Sequence, residues 1–136
     1  MLSVLPRYRW RVFTTGALFV SLFVAAGMIW QQQRQSERVA VAMTGGDPAR
    51  APAAIRRYGC GGCHTIPRIP GGDGQVGASL AAIRQRVYVG GVVSNSPENL
   101  VQWIVSPQAF SPRSAMPATG ISEAEARDVA AYLYSR

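Results

Sequence analysis

Apolar positions along the chain follow two regimes. From Val12 to Trp30 they run without a single charge (VFTTGALFVSLFVAAGMIW). Beyond Ala51 they recur at helical spacing in short stretches, separated by Pro- and Gly-rich breaks. As a helix the first run spans about 28 Å, the hydrocarbon thickness of a bilayer. Trp10 and Trp30 bracket it at interface depth, and Gln31-Gln32-Gln33-Arg34 closes it. The apolar core of a cleaved signal peptide is shorter, about 7–15 residues. Ala40-Val41-Ala42 has the form of a cleavage site but lies well beyond the apolar run. The pattern predicts a permanent transmembrane helix over residues 12–30.

Residues 31–52 read as a linker. It can begin as a continuation of the membrane helix to about Met43, with Gly45-Gly46 as the stop. Such a linker lets the following domain move over the membrane surface, unless it docks on a neighbouring subunit. Residues 53–136 read as one small all-α domain. Ala53 to Gly59 forms a short helix, and Leu80, Ile83 and Val87 give helical spacing to Ser79–Val89, stopped by Gly90-Gly91. Ser96 and Pro97 open a further helix as N-cap and first position, with Leu100, Val101, Trp103 and Ile104 on its apolar face. Ser122 and Glu125 form a capping box for a last helix that buries Ala126, Val129, Ala130 and Leu133. Residues 65–77 and 108–120 read as loops. Sustained period-two alternation is lacking, which predicts almost no sheet.

Charge adds orientation. The net charge is +7, and all 14 basic residues are Arg. Arg7, Arg9 and Arg11 precede the apolar run, so residues 1–11 are expected in the cytoplasm. The domain then lies across a bacterial inner membrane, in the periplasm. No basic stripe is interleaved with aromatics, so nucleic acid is not an expected partner.

The chemistry lies in Cys60-Gly61-Gly62-Cys63-His64. This is the Cys-x-x-Cys-His signature of c-type haem attachment. Two thiols about one helical turn apart suit the two vinyl groups on one porphyrin edge, and the next residue offers an imidazole to the iron. Gly61 and Gly62 let the backbone lie close to the macrocycle. A structural zinc site wants four ligands, whereas the chain has two Cys and one His. A thioredoxin-like pair is expected beside a βαβ pattern, which is absent. A plain disulfide remains compatible with the pair but leaves the placement of the only histidine unexplained.

Residues from about Ala51 to Arg136 resemble a class I cytochrome c. Four places carry the likeness: Cys60–His64; Gly77-Ala78-Ser79-Leu80; Asn99–Ile104 with Pro107, Pro112, Met116 and Gly120-Ile121; and Ala131-Tyr132-Leu133. More narrowly, Ser96–Ile104 and Pro107-Gln108-Ala109 are similar to the cytochrome c domain of subunit II in some haem-copper oxidases. The resemblance implies the cytochrome c fold around one covalent haem c, with His64 and Met116 as iron ligands. It implies that the Ala78 carbonyl, where the family has Pro, accepts from His64, and that the last helix crosses the first near Ala54 and Tyr58. It places Trp103 beside the Met ligand, mainly as packing. The Trp that many relatives use on a haem propionate has no counterpart, leaving Arg84, Arg86, Tyr88 and Asn95 to replace it.

The expected function is single-electron transfer rather than enzymatic catalysis. Within a respiratory chain, the protein would carry electrons from a quinol-oxidising complex of the cytochrome bc kind to a terminal oxidase, as donor or as oxidase subunit. The alternative is a haem protein with a labile distal ligand, acting in sensing or peroxidase-like chemistry.

Overall fold

The computed structural model describes residues 5–136, and side chains from Phe13 onward. Arg7, Arg9, Arg11 and Trp10, on which the orientation and one interface anchor were expected to rest, have side chains outside the described residues. The chain divides into two units, Met1–Gln35 and Ser36–Arg136.

The first unit is helical throughout its described length, within α1 (Leu5–Thr44). Phe13, Phe19, Phe23 and Ile29 are all exposed, Phe23 by 83%. Apolar side chains all round a helix need a non-aqueous surrounding. Phe13–Thr44 is long and apolar enough to cross a membrane. Ser21 satisfies its hydroxyl internally, donating to the Ala17 carbonyl at 2.8 Å. At the polar end the Arg34 guanidinium lies 4.0 Å from the centre of the Trp30 ring, a cation–π contact.

The second unit begins with the last turns of α1. Helix α2 (Ala51–Arg57) leads into one tight turn, α3 (Cys60–Cys63), through Gly59 in the left-handed region. After a long loop come a 3-10 turn (Ile83–Gln85), two paired strands, β1 (Tyr88–Val89) and β2 (Val93–Ser94), then α4 (Pro97–Val105), α5 (Pro107–Phe110) and α6 (Glu123–Tyr134). The unit is therefore mainly helical, with a single antiparallel pair of two-residue strands.

Helix α6 is the centre of this unit. Both α2 and α4 pack against it, so Ala126, Val129, Ala130, Ala131 and Leu133 are buried together with Ala54, Ile55, Leu100 and Val101. Small Ala residues let the helices approach closely. Two tyrosines bury their rings and bond their hydroxyls to loops: Tyr132 donates to the Pro67 carbonyl and Tyr134 to Asn95 Oδ1, each at 2.6 Å. The expected caps are present. Ser96 accepts from the Asn99 N–H, and Ser122 with Glu125 forms the reciprocal box.

Three expectations need correction. Residues 36–52 are not a free linker. Ala40 and Thr44 are buried, and Asp128 of α6 takes the Asp47 N–H at 2.7 Å and both Nε and Nη2 of Arg50 at 2.8 and 2.9 Å. Arg136 reaches Glu37 at 2.8 Å, and Arg127 donates to the Thr44 carbonyl at 3.0 Å. This segment is part of the domain. Residues 79–89 are not a helix either: Val87 is 71% exposed, Ala82 sits at φ 53°, and Gly90 and Gly91 take φ of 57° and 75°. That last pair turns the chain into a hairpin. Finally, residues 107–110, read in part as loop, form α5.

Candidate functional site

An apolar cavity opens between α2, α4, α6 and the loops that follow α3. Its volume is about 250 Å³. Ile55, Leu80, Ile83, Leu100, Val129 and Leu133 form much of its wall. Cys60, His64, Ala78, Trp103 and Met116 all reach it, joined by Arg86 and Tyr88.

His64 is held by a short, specific set of bonds. Its backbone N–H closes α3 onto the Cys60 carbonyl at 3.0 Å. Its Nδ1 lies 2.6 Å from the Ala78 carbonyl oxygen. A carbonyl can only accept, so Nδ1 carries a proton, and in the neutral imidazole Nε2 then keeps its lone pair. The Gly74–Leu80 strip that supplies this carbonyl is tied back to the end of α3 and the residues just after it by backbone bonds, Gly77 N–H to the Cys63 carbonyl at 2.7 Å and Leu80 N–H to the Thr65 carbonyl at 2.8 Å. A Cβ on Gly77 would collide with the imidazole, so only glycine lets the strip pass so close to His64.

The two cysteines are not joined to each other in a disulfide. Cys60 is half-buried in the wall, and burial pushes its thiol above the ordinary range. Cys63 is exposed at the far end of α3 and does not line the cavity. Met116 is half-buried and reaches the wall from the loop after α5. Trp103 packs with its ring against Gly90 and 6.2 Å from the Phe110 ring centre.

The four polar residues considered for a carboxylate role separate. Asn95 is fully engaged in structure, donating to the Ile83 and Arg86 carbonyls at 2.7 and 2.9 Å and accepting from Tyr134. Arg84 donates to the Ser36 hydroxyl at 3.2 Å. Arg86 and Tyr88 remain at the cavity, Arg86 bonded to the Ser79 carbonyl. One further group is Gln108, which belongs to the Pro107-Gln108-Ala109 stretch of the narrower likeness but has no role implied by it. Its carboxamide donates to the Met116 carbonyl at 2.7 Å. Among the described residues no cluster of three or more His, Cys, Asp or Glu could hold a metal ion by itself.

No protein-family model, curated protein or solved structure matches the chain.

Proposed function

We propose that the chain is a membrane-anchored c-type cytochrome that carries single electrons. The observation that carries this reading is the meeting of Cys60, His64 and Met116 in one apolar cavity directly beside the Cys-x-x-Cys turn. The donor set suits haem c. His64 has its proton committed to Ala78 and its Nε2 lone pair free to bind iron. Met116 offers a soft thioether, and the Cys60 and Cys63 thiols supply the two covalent attachments. Arg86 would meet the carboxylates of the porphyrin edge.

Haem c supplies the ferric–ferrous couple when bound. The residues set its properties. The Ala78 carbonyl fixes the orientation of the His64 ring. Met116 favours the reduced form and so raises the potential. Were His64 and Met116 both to hold the iron, peroxide and gas would find no open position, which suits a carrier better than an enzyme. The apolar wall limits water and keeps reorganisation small. The anchor confines encounters to the membrane plane. In this reading the domain is periplasmic, and electrons pass from a quinol-oxidising complex to a haem-copper oxidase.

The test is expression in a bacterium with a c-haem maturation system. Haem should stay on the wild-type polypeptide after denaturation and be lost from a Cys60→Ser, Cys63→Ser double variant. Met116→Ala should keep covalent haem, lose the far-red thioether–ferric band and lower the potential. A wild-type polypeptide free of covalent haem overturns the reading. Rapid binding of CO or cyanide by the wild type would favour a sensing or peroxidase-like role.

A further inference from the structure

We infer that Gln108 is a positioning residue for Met116, fixing where its thioether sits; this rests on the reading above, in which Met116 is an iron ligand. The loop from Ser111 to Gly120 has no helix or strand of its own. Pro112 and Pro117 remove two backbone donors from it. The Met116 carbonyl therefore has no ladder partner, and what it bonds to decides the loop's shape.

That partner is the Gln108 carboxamide, 2.7 Å from the Met116 carbonyl oxygen and 3.5 Å from that of Ser114. Both neighbours are acceptors only, so the amide must turn its NH₂ toward them. The other end of the Met116 residue is gripped as well: its N–H donates to Ser114 Oγ at 3.2 Å. Ser114 is in turn braced on the Ser111 carbonyl at 2.9 Å, and Ser111 on that of Pro107 at 3.0 Å. Gln108 itself is mounted on α5, whose Pro107 is fully buried and which packs on α4. Remove the amide and Met116 keeps only a bond to a serine in its own loop.

The side chain introduced by Gln108→Glu has nearly the same shape but, ionised, no donor, so it sets lone pairs against two carbonyls. The test uses the full chain in detergent, with Gln108→Glu and Gln108→Ala beside the wild type. The readouts are covalent haem, helical circular dichroism, the thioether–ferric band, the pH at which that band vanishes, and the midpoint potential. Both variants should retain haem and helicity. The band should vanish at a lower pH in both, with the larger shift in Gln108→Glu. A shift of about one pH unit corresponds to a roughly tenfold easier release of the thioether. The potential should fall in the same order. Unchanged band, pH profile and potential in Gln108→Glu with haem attached overturns the proposal. So does loss of haem from both variants, which would mark a folding role instead. Wild-type protein without covalent haem defeats the parent reading, a separate result.

Discussion

The two sides of the second unit are built on different principles. On one side α2, α6 and residues 36–50 are joined by helix packing and paired charges. Every ion pair among the described residues lies here: Arg50 with Asp47 and Asp128, Arg57 with Glu125, Arg127 with Glu123, and Arg136 with Glu37. On the other side residues 65–95 and 108–120 wall the cavity with little regular structure. They are held by individual hydrogen bonds: backbone ones such as Gly77 to Cys63 and Leu80 to Thr65, and side chains that donate to carbonyls, Thr65 to Gly74, Asn95 to Ile83 and Arg86, and Gln108 to Met116. The helical side has redundant contacts over packed helix faces, whereas the loop side relies on individual hydrogen bonds. In the function proposed above, the loops supply the Ala78 carbonyl and Met116 while the helices frame the cavity, the arrangement expected where loops on a rigid frame carry function.

The strongest way to break this comparison is to remove what we propose fills the cavity. The Cys60→Ser, Cys63→Ser double variant should lose covalent haem entirely and unfold at a lower temperature, since a group bound only to the native state stabilises it. Hydrogen exchange should locate the damage. Amides of residues 65–95 and 108–120 should lose protection by orders of magnitude, while those of α6 fall much less. Uniform loss of protection throughout would mean that the two sides fold as one cooperative unit.

The same division decided what the sequence could reveal. Helix α4 was legible from Ser96 and Pro97, and α6 from its capping box, because caps and apolar spacing are local signals. The Cys-x-x-Cys turn was legible as a motif. The hairpin at residues 88–94 was not. Leu80 and Ile83 fit a helical face by spacing, and both line the cavity, but Ala82 between them takes a left-handed φ of 53°, which no continuous α-helix tolerates. Val87, which would have completed that face, points to solvent. The docking of residues 36–50 was hidden for another reason. It depends on Asp128, far along the chain, and nothing near Asp47 or Arg50 announces so distant a partner. The role of Gln108 was hidden similarly: the Pro107-Gln108-Ala109 stretch was visible, but a polar side chain whose acceptor is a backbone atom gives no local sign of it.

A second, smaller effect tests the helical side. Asp128 is buried, and the Arg50 hydrogen bond, opposed in part by burial, holds its carboxyl below the usual aspartate range. Asp128→Asn should cost about 1.5 kcal/mol, the low end for hydrogen bonds to a charged group, because Arg50 itself is exposed. The sign of the pH dependence follows from the depressed folded pKa. The contribution is complete above the ordinary aspartate value of 3.8 and is lost as pH falls through the lower folded value. Urea unfolding of wild type and Asp128→Asn should therefore converge in that acid range and diverge near neutrality. A constant gap across pH would assign the loss to packing alone. Tyr134 offers the alkaline counterpart. Burial, with a lesser contribution from the Glu98 charge, pushes it up to about 12, so its contribution is present below pH 10 and is lost as pH rises toward that value.

The smallest effects concern Glu125, where a cap and a surface ion pair share one carboxylate. Ser122 bonds it and takes the Glu125 N–H in return, Tyr58 donates to it at 2.8 Å, and Arg57 pairs with it at 2.7 Å. Hydrogen bonds from Ser122 and Tyr58, ahead of the Arg57 charge, keep this carboxyl below its ordinary range. Ser122→Ala leaves the first turn of α6 without its side-chain acceptor and should cost about 1 kcal/mol in urea unfolding. Arg57→Ala should produce no resolvable change in the same measurement. The guanidinium is mostly exposed, its pairing is screened by salt, and Glu125 keeps its two hydroxyl partners. If Arg57→Ala instead destabilised the protein as much as Ser122→Ala, in a salt-dependent way, paired charges on the helical side would act as a network. The redundancy ascribed to that side would then be electrostatic in origin.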